Sequence, residues 1–206
     1  MYYVIGDSHT TAFSSQASIL ATGRLQQFGQ FNCFHAGPFL AFNVKEKNEA
    51  IEVCQNIGPA DSIIFCFGEI DMRNIHKRIT AEESKFEDKI NQVVENYFQF
   101  IDSINHPDKI VFGVVPCLKE QPFYKWFESN PERKNDFYAP SGDLTTRNLY
   151  KEYFNHQLQV NCEIKKIKYF DIFQEVLGKE ELYMDDIHLN SPKVIDIINN
   201  KLKNFL

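Results

Sequence analysis

The chain has 206 residues, a formal net charge of −6 and an apolar content of 43%. This length and apolar content suit one domain with a substantial core, so we predict a single domain over residues 1–206. The acidic balance, together with the absence of a basic stripe, argues against nucleic acid or an anionic membrane as a partner.

Cysteine usage and hydropathy indicate the compartment. The five cysteines are odd in number, and no two have the spacing of metal ligands, which suits a reducing environment. The first predicted strand begins at residue 2, leaving no room for the apolar region of a signal peptide. No stretch approaches the roughly 20 apolar residues of a transmembrane helix. We therefore expect a cytoplasmic protein without membrane insertion.

Strand-like and helix-like segments alternate along the chain. Short apolar runs predict strands at residues 2–5, 31–35, 62–67, 109–115 and 168–173. Apolar residues spaced by three and four predict helices at residues 10–23, 46–56, 81–105, 144–161 and 191–206. This alternation predicts an α/β fold, a three-layer α/β/α sandwich around a five-stranded parallel sheet of flavodoxin-like order 2-1-3-4-5.

The loops that follow the strands are expected to form the functional edge. In parallel sheets, sites lie beyond the carboxyl ends of the strands, and Ser8, Gly37, Gly68 and Pro116 each follow a predicted strand. The longest irregular segment, residues 116–142, is rich in proline and aromatic residues. It fits a substrate-binding loop or a loop whose aromatic residues seal it onto the body.

The two ends of the chain contain the parts of a serine hydrolase. Ser8 stands on a turn after the first strand, and its hydroxyl would need a base to remove its proton during attack. His188 is the candidate base, and Asp185, three residues earlier, would orient the imidazole ring. Asp186 is one residue out of phase and is expected to face solvent or to cap the final helix. His9 directly follows Ser8 and is expected to line the pocket without acting as the base.

Other polar residues leave their roles open. Arg147 and Asn148 begin the helix after the long loop, where they would grip a substrate carboxylate or phosphate or simply start a solvated helix. The sequence has no Walker motif, no Gly-x-Gly-x-x-Gly run and no paired metal-ligand cluster. Neither a cofactor nor a metal is therefore predicted.

These blocks together resemble the SGNH/GDSL hydrolase superfamily. Gly6-Asp7-Ser8-His9 is similar to its nucleophile block, and Asp185-x-x-His188 is similar to its closing acid–base block. Gly37 stands where the family has a glycine after its second strand. The resemblance implies that Ser8 is the nucleophile, His188 the base and Asp185 its orienting acid, with the Ser8 and Gly37 amides as oxyanion donors.

One block departs from the family. Gly68-Glu69-Ile70-Asp71 stands where the family has Gly-x-Asn-Asp, and Ile70 cannot supply the amide donor of that asparagine. Losing one oxyanion donor typically costs about 10²–10³ in rate. If the chain is extended here, Glu69, Asp71 and Arg73 point the same way, so we predict that they line the pocket, with Arg73 a cationic donor or held by an acid.

The third block also suggests a substrate context. Gly-Glu-x-Asp-x-Arg resembles a divergent branch of the superfamily that is associated with bacterial surface-polysaccharide enzymes. The leading hypothesis is therefore a serine-dependent esterase that removes O-acyl groups from a small-molecule or glycan ester. The same triad would serve an O-acyltransferase acting on a surface polysaccharide, whereas Ile70 favours a glycan- or partner-binding module. The sequence leaves the substrate and the oligomeric state open.

Overall fold

The computed structural model describes residues 1–119 and 141–205, so most of the predicted binding loop lies outside the described residues. Within these ranges six strands form one sheet: β1 (Tyr2–Gly6), β2 (Leu25–Phe28), β3 (Phe31–His35), β4 (Ser62–Cys66), β5 (Lys109–Phe112) and β6 (Lys168–Phe170). The α-helices are α1 (Asn48–Gln55), α2 (Glu69–Ala81), α3 (Phe86–Ser103), α4 (Leu144–Lys165), α5 (Phe173–Val176) and α6 (Ser191–Leu202). Shorter 3-10 helices are Ser8–Phe13, Ala41–Glu46, Glu180–Leu182 and Lys203–Phe205.

The predicted fold class is confirmed, but the predicted strand count is wrong. The sheet has the order β2-β3-β1-β4-β5-β6, and the five predicted strands are its parallel members. The additional strand, β2, pairs antiparallel to β3 through a tight turn at Gly29, where φ is 57°. Two glutamines fill the centre of β2 and its residues are exposed or half-buried, so its apolar signal is too weak to predict a strand.

Alternate side chains of the strands enter two separate cores. On β4, Ile63 and Phe65 face the core that packs against α1, α2, α3 and α4, whereas Ile64 and Cys66 face the other core. That second core is covered by the first 3-10 helix and by α6. Both faces of the sheet are therefore buried, as a three-layer parallel sheet requires.

Two helix predictions differ from the structure. Of the helix expected at residues 10–23, the structure has only the 3-10 helix Ser8–Phe13. It ends there because the Ser14 hydroxyl donates a hydrogen bond to the Thr11 carbonyl and Ser15 has a left-handed φ of 57°. The helix predicted at 81–105 begins later, at Phe86, and α2 precedes it. No helix in the described ranges combines the length and apolar character needed to cross a membrane.

All five cysteines are free and buried. Burial raises the pKa of the Cys33 and Cys54 thiols to about 12, and Cys162 shows the same effect. Cys33, Cys54 and Cys162 therefore act as small core residues and stay in the unreactive thiol form.

The register of the central strands aligns the loops that carry the predicted site. Gly6 at the end of β1 pairs with His35 on β3 and with Cys66 on β4. The residues that follow these three strands consequently leave the sheet side by side at one edge. At Gly68 the chain turns into α2 with a φ of 113°, a conformation that side chains with a Cβ rarely adopt.

We predict that Gly68→Ala destabilises the protein by about 3 kcal/mol, because it combines left-handed backbone strain with overpacking. A Cβ at this position would lie 2.5 Å from the Phe154 ring. Gly178→Ala is the matched control, since φ there is also positive but no atom lies within 4 Å of the added carbon. The control should lose only about 1 kcal/mol in urea unfolding. Equal losses would contradict the packing argument.

Candidate active site

The structure brings Ser8, His188 and Asp185 into one chain of contacts. The Ser8 Oγ lies 2.8 Å from Nε2 of His188, and Nδ1 of the same ring lies 2.7 Å from Oδ2 of Asp185. Because a carboxylate only accepts hydrogen bonds, Nδ1 must carry the proton. In a neutral ring, Nε2 is then the acceptor that faces the serine hydroxyl.

A closed loop fixes the acid and the base. Tyr183 and Leu189 form an antiparallel bridge, and the Met184 amide donates to the His188 carbonyl at 2.9 Å. Inside this loop, Oδ1 of Asp185 accepts hydrogen bonds from the backbone amides of Ile187 and His188 at 2.8 and 2.7 Å. The carboxylate is therefore held by the same turn that presents the imidazole.

The electrostatics of the pair favour an ionised acid and a neutral base. Although burial opposes ionisation, the hydrogen bonds from His188 and the two amides lower the pKa of Asp185 to about 2. Burial lowers the pKa of His188 below 6.5, the hydrogen bond to Asp185 opposes this, and nearby His9 lowers it further. At neutral pH the ring is thus in the form that can accept a proton.

Two backbone N–H groups, one after β1 and one after the neighbouring strand β3, are candidate oxyanion donors. Among residues 1–119 and 141–205, neither the Ser8 amide nor the Gly37 amide donates a hydrogen bond to the protein. The Ala36 amide donates to the Gly6 carbonyl at 2.8 Å, which ties the Gly37 turn to the end of β1. A φ of 120° at Gly37 sets the direction of this turn.

The third block does not have the extended conformation that we predicted. Residues 69–73 form the first turns of α2, so Glu69 and Arg73 share a face and form a buried ion pair, whereas Asp71 points elsewhere. The prediction that the three side chains point the same way is therefore wrong. Asp71 accepts hydrogen bonds from the amides of Ala41 and Phe42 at 2.6 and 3.2 Å, at the start of a 3-10 helix.

Glu69 is the centre of a buried charge cluster that also contains a residue missed by the sequence analysis. Oε1 of Glu69 lies 2.9 Å from Nζ of Lys151, which donates in addition to the Val115 carbonyl at 2.9 Å. Lys151 is 1% exposed. Although burial opposes ionisation, Arg73 and Lys151 hold the pKa of Glu69 well below its usual range. No local sequence signal distinguishes this lysine from Lys165, the partly exposed lysine at the end of the same helix.

The remaining polar residues near the long loop bind its backbone or its near end. Asn148 accepts a hydrogen bond from the Cys117 amide at 2.7 Å, and Arg147 donates to the Lys119 carbonyl at 2.6 Å. Asp186 forms an ion pair with Lys119 at 2.8 Å instead of capping the final helix. In the described residues, therefore, these side chains stabilise the chain segment that leaves β5.

Ile70 lies in the first turn of α2 and is 3% exposed. It belongs to neither of the two hydrophobic cores. An apolar side chain thus occupies the helix position that corresponds to the family's asparagine, and no amide donor replaces it at that residue.

We predict that Lys151→Met destabilises the protein by about 2–4 kcal/mol, because it removes one of the two cations that compensate the buried Glu69 carboxylate. Lys165→Met is the matched control on the same helix, where Lys165 pairs with Asp102 in a solvent-exposed bridge. That control should lose less than about 1 kcal/mol. Urea unfolding of both variants checks the difference, and equal losses would show that the cluster contributes nothing special.

Comparisons with known proteins support the fold. No protein-family model and no curated protein sequence matches the chain. Among solved structures, a lipolytic protein of the G-D-S-L family from Veillonella parvula is 13% identical, with a TM-score of 0.54 over 99% of this chain and 97% of the other. Phospholipase A1 from Streptomyces albidoflavus is 13% identical, with a TM-score of 0.56 over 97% and 98% of the two chains.

A carbohydrate acetylesterase from Sinorhizobium meliloti is 14% identical, with a TM-score of 0.53 over 100% of this chain and 99% of the other. At such identities the likeness concerns the fold. The chain has the fold of the SGNH/GDSL hydrolases, as its sequence blocks predict.

Proposed function

We propose that this protein is a serine ester hydrolase in which Ser8 is the nucleophile, His188 the general base and Asp185 the residue that orients it. The observation that carries the proposal is the continuous contact from the Ser8 hydroxyl through both ring nitrogens of His188 to the Asp185 carboxylate. Structural neighbours named as esterases, phospholipases and acylhydrolases support the same reaction class. The reaction would occupy one domain over residues 1–206.

In the proposed reaction, the Ser8 oxygen attacks the ester carbonyl carbon while its proton passes to Nε2 of His188. The Asp185 carboxylate stabilises the imidazolium, and the Ser8 and Gly37 amides donate to the developing oxyanion. The imidazolium then protonates the leaving alcohol, which leaves an acyl group on Ser8. Water, deprotonated by the same nitrogen, attacks this acyl-serine. The imidazolium then returns that proton to the Ser8 oxygen, which releases the carboxylic acid and restores the serine hydroxyl.

The oxyanion site would be weaker than in a typical family member. Two backbone donors remain, but Ile70 contributes no third donor, so turnover of generic esters is expected to be slow. Arg73 is held by Glu69 on the buried side of α2. We therefore propose that Glu69 and Arg73 shape the electrostatic field below Ser8, whereas Asp71 supports the 3-10 helix at Ala41–Glu46.

For the substrate, we propose O-acyl groups, such as acetyl groups, on a carbohydrate in the cytoplasm. The Gly-Glu-x-Asp-x-Arg block and one structural neighbour named as a carbohydrate acetylesterase support a glycan. The five buried free thiols are compatible with a reducing compartment. An O-acyltransferase would share the acyl-serine and pass it to a sugar hydroxyl instead of water.

We predict that a fluorophosphonate probe forms a single covalent adduct with the protein, on Ser8. Ser8→Ala should abolish the adduct, and His188→Ala should slow labelling by about 100-fold or more, because general-base catalysis typically contributes that much. Ser18→Ala, an exposed serine in the same segment, is the control and should label normally. Intact-mass spectrometry and peptide mapping provide the measurement.

The labelling rate should also depend on pH. His188 must be neutral to accept the Ser8 proton, and its pKa is lowered from 6.5. The labelling rate should therefore be at its maximum at neutral pH and fall as the pH drops through a midpoint below 6.5. Folded protein that remains unlabelled at every pH would favour the binding-module alternative and remove Ser8 from its proposed role.

We predict that Ile70→Asn raises hydrolysis of p-nitrophenyl acetate by about tenfold to 100-fold, because it adds an amide donor at the family's oxyanion position. The buried amide should also lower stability by about 2 kcal/mol. Ile70→Leu is the matched control and should give no gain. If Ile70→Asn does not raise hydrolysis of p-nitrophenyl acetate, the missing oxyanion donor is not at residue 70.

Release of acetate from an O-acetylated glycan, measured with and without acetyl-CoA and a free sugar acceptor, would separate hydrolase from transferase.

A further inference from the structure

His9 is a buried histidine whose two ring nitrogens both face hydrogen-bond acceptors. Its Nδ1 lies 3.0 Å from Oδ1 of Asp7, and its Nε2 lies 3.2 Å from the Ile187 carbonyl oxygen and 3.9 Å from Oε2 of Glu69. A neutral imidazole has one donor and one acceptor nitrogen, so it would set a lone pair against one of these oxygens. Only the imidazolium form donates to both sides.

The ring of His9 also packs on the ring of His188. The two centroids are 4.9 Å apart and the planes are tilted by 31°. Both nitrogens of His188 are already engaged, with Asp185 and with Ser8, so the two rings pack without a hydrogen bond between them. The Ile187 carbonyl that accepts from His9 belongs to the residue directly before His188.

We propose that His9 is a positioning residue for His188: held as an imidazolium between the Asp7 carboxylate and the Ile187 carbonyl, it fixes the His188 ring and keeps it in the neutral form that accepts the Ser8 proton. This proposal rests on the proposed function of Ser8 and His188. It also assigns a purpose to the residue that follows the nucleophile, which the hydrolytic steps themselves do not use.

The charges around the pair agree with this assignment. Although burial alone would lower it, the Asp7 and Glu69 carboxylates raise the pKa of His9. Three elements supply charges that face the two rings. They are Asp7 before the first 3-10 helix, Glu69 and Arg73 on α2, and Asp185 on the closing loop.

Two more distant charges are already compensated. Lys151 on α4 is paired with Glu69, and Asp186 is paired with Lys119. The local balance beside His188 therefore depends on the proton of His9. Without it, the Asp7 carboxylate would be buried with no cation bonded to its Oδ1, and a proton on His188 would be favoured.

The expected consequence is a pH profile and not a simple loss of activity. A positive charge about 5 Å from a base in a partly dry site makes protonation of that base harder. His9→Gln removes the charge, so the midpoint of His188 should move up by about one pH unit. Near the wild-type midpoint, the labelling rate of Ser8 relative to its plateau should then fall by about fivefold.

The primary experiment is a pH titration of ¹⁵N-labelled imidazole rings by NMR, in the wild type, His9→Gln and the control His156→Gln. His156 is exposed on α4. We expect both His9 nitrogens to be protonated at neutral pH in the wild type, and the His188 midpoint to rise in His9→Gln alone. A His9 ring with a single protonated nitrogen at neutral pH would overturn the proposal, and so would an unchanged midpoint in folded His9→Gln.

The design separates this proposal from the hydrolase proposal. The wild-type spectrum reports the state of His9 even if His9→Gln does not fold or if Ser8 never reacts with a fluorophosphonate. Labelled Ser8 with a neutral His9 would end the positioning role and leave the hydrolase standing. An imidazolium at His9 beside an inert Ser8 would instead overturn the hydrolase and, with it, the purpose assigned to His9.

Discussion

The buried carboxylate of Glu69 joins parts of the molecule that are far apart in sequence. It accepts hydrogen bonds from Arg73 on its own helix and from Lys151, 82 residues later, which in turn donates to the backbone after β5. It also lies beside His9. A carboxylate at a helix N-terminus is favourable, but one removed from water needs cations to compensate it. The edge of the sheet where Ser8 lies is therefore organised around this one charge.

The site depends equally on how the sheet positions the two ends of the chain. Ser8 follows the end of the central strand β1, whereas His188 belongs to a loop 180 residues later that docks beside it. Ile187 and Leu189 are both buried on either side of His188, so the base sits between two apolar anchors. Packing and the closed turn therefore maintain the position of His188 relative to Ser8.

The sequence was most informative where a local pattern decides the structure. Apolar runs predict the five parallel strands. The spacing of Asp185-x-x-His188 predicts a turn in which the acid contacts the histidine ring, and the structure has that contact. Prediction failed for α2, because Ile70 and Met72 alternate with charged residues in a manner that resembles a strand. The same error placed Asp71 beside Glu69, although a helix turns the two side chains apart.

Other features depend on tertiary contacts that no short window contains. The buried charge of Lys151 is compensated by Glu69 on another helix. The strand β2 is stabilised by its hydrogen bonds to β3. The hydrogen bonding of the His9 ring also depends on a distant part of the chain, since the carbonyl oxygen that faces its Nε2 belongs to Ile187. Spatial partners of this sort lie outside propensity and periodicity.

The five buried thiols can report local unfolding of the protein, because each becomes accessible only when the structure around it opens. They are distributed over β3, α1, β4, the segment after β5 and α4, so they sample both faces of the sheet. A thiol with a pKa near 12 and no access to solvent reacts with an alkylating reagent only when its surroundings unfold. The order in which these cysteines become modified would therefore follow the order in which the layers separate, without any probe being added to the chain.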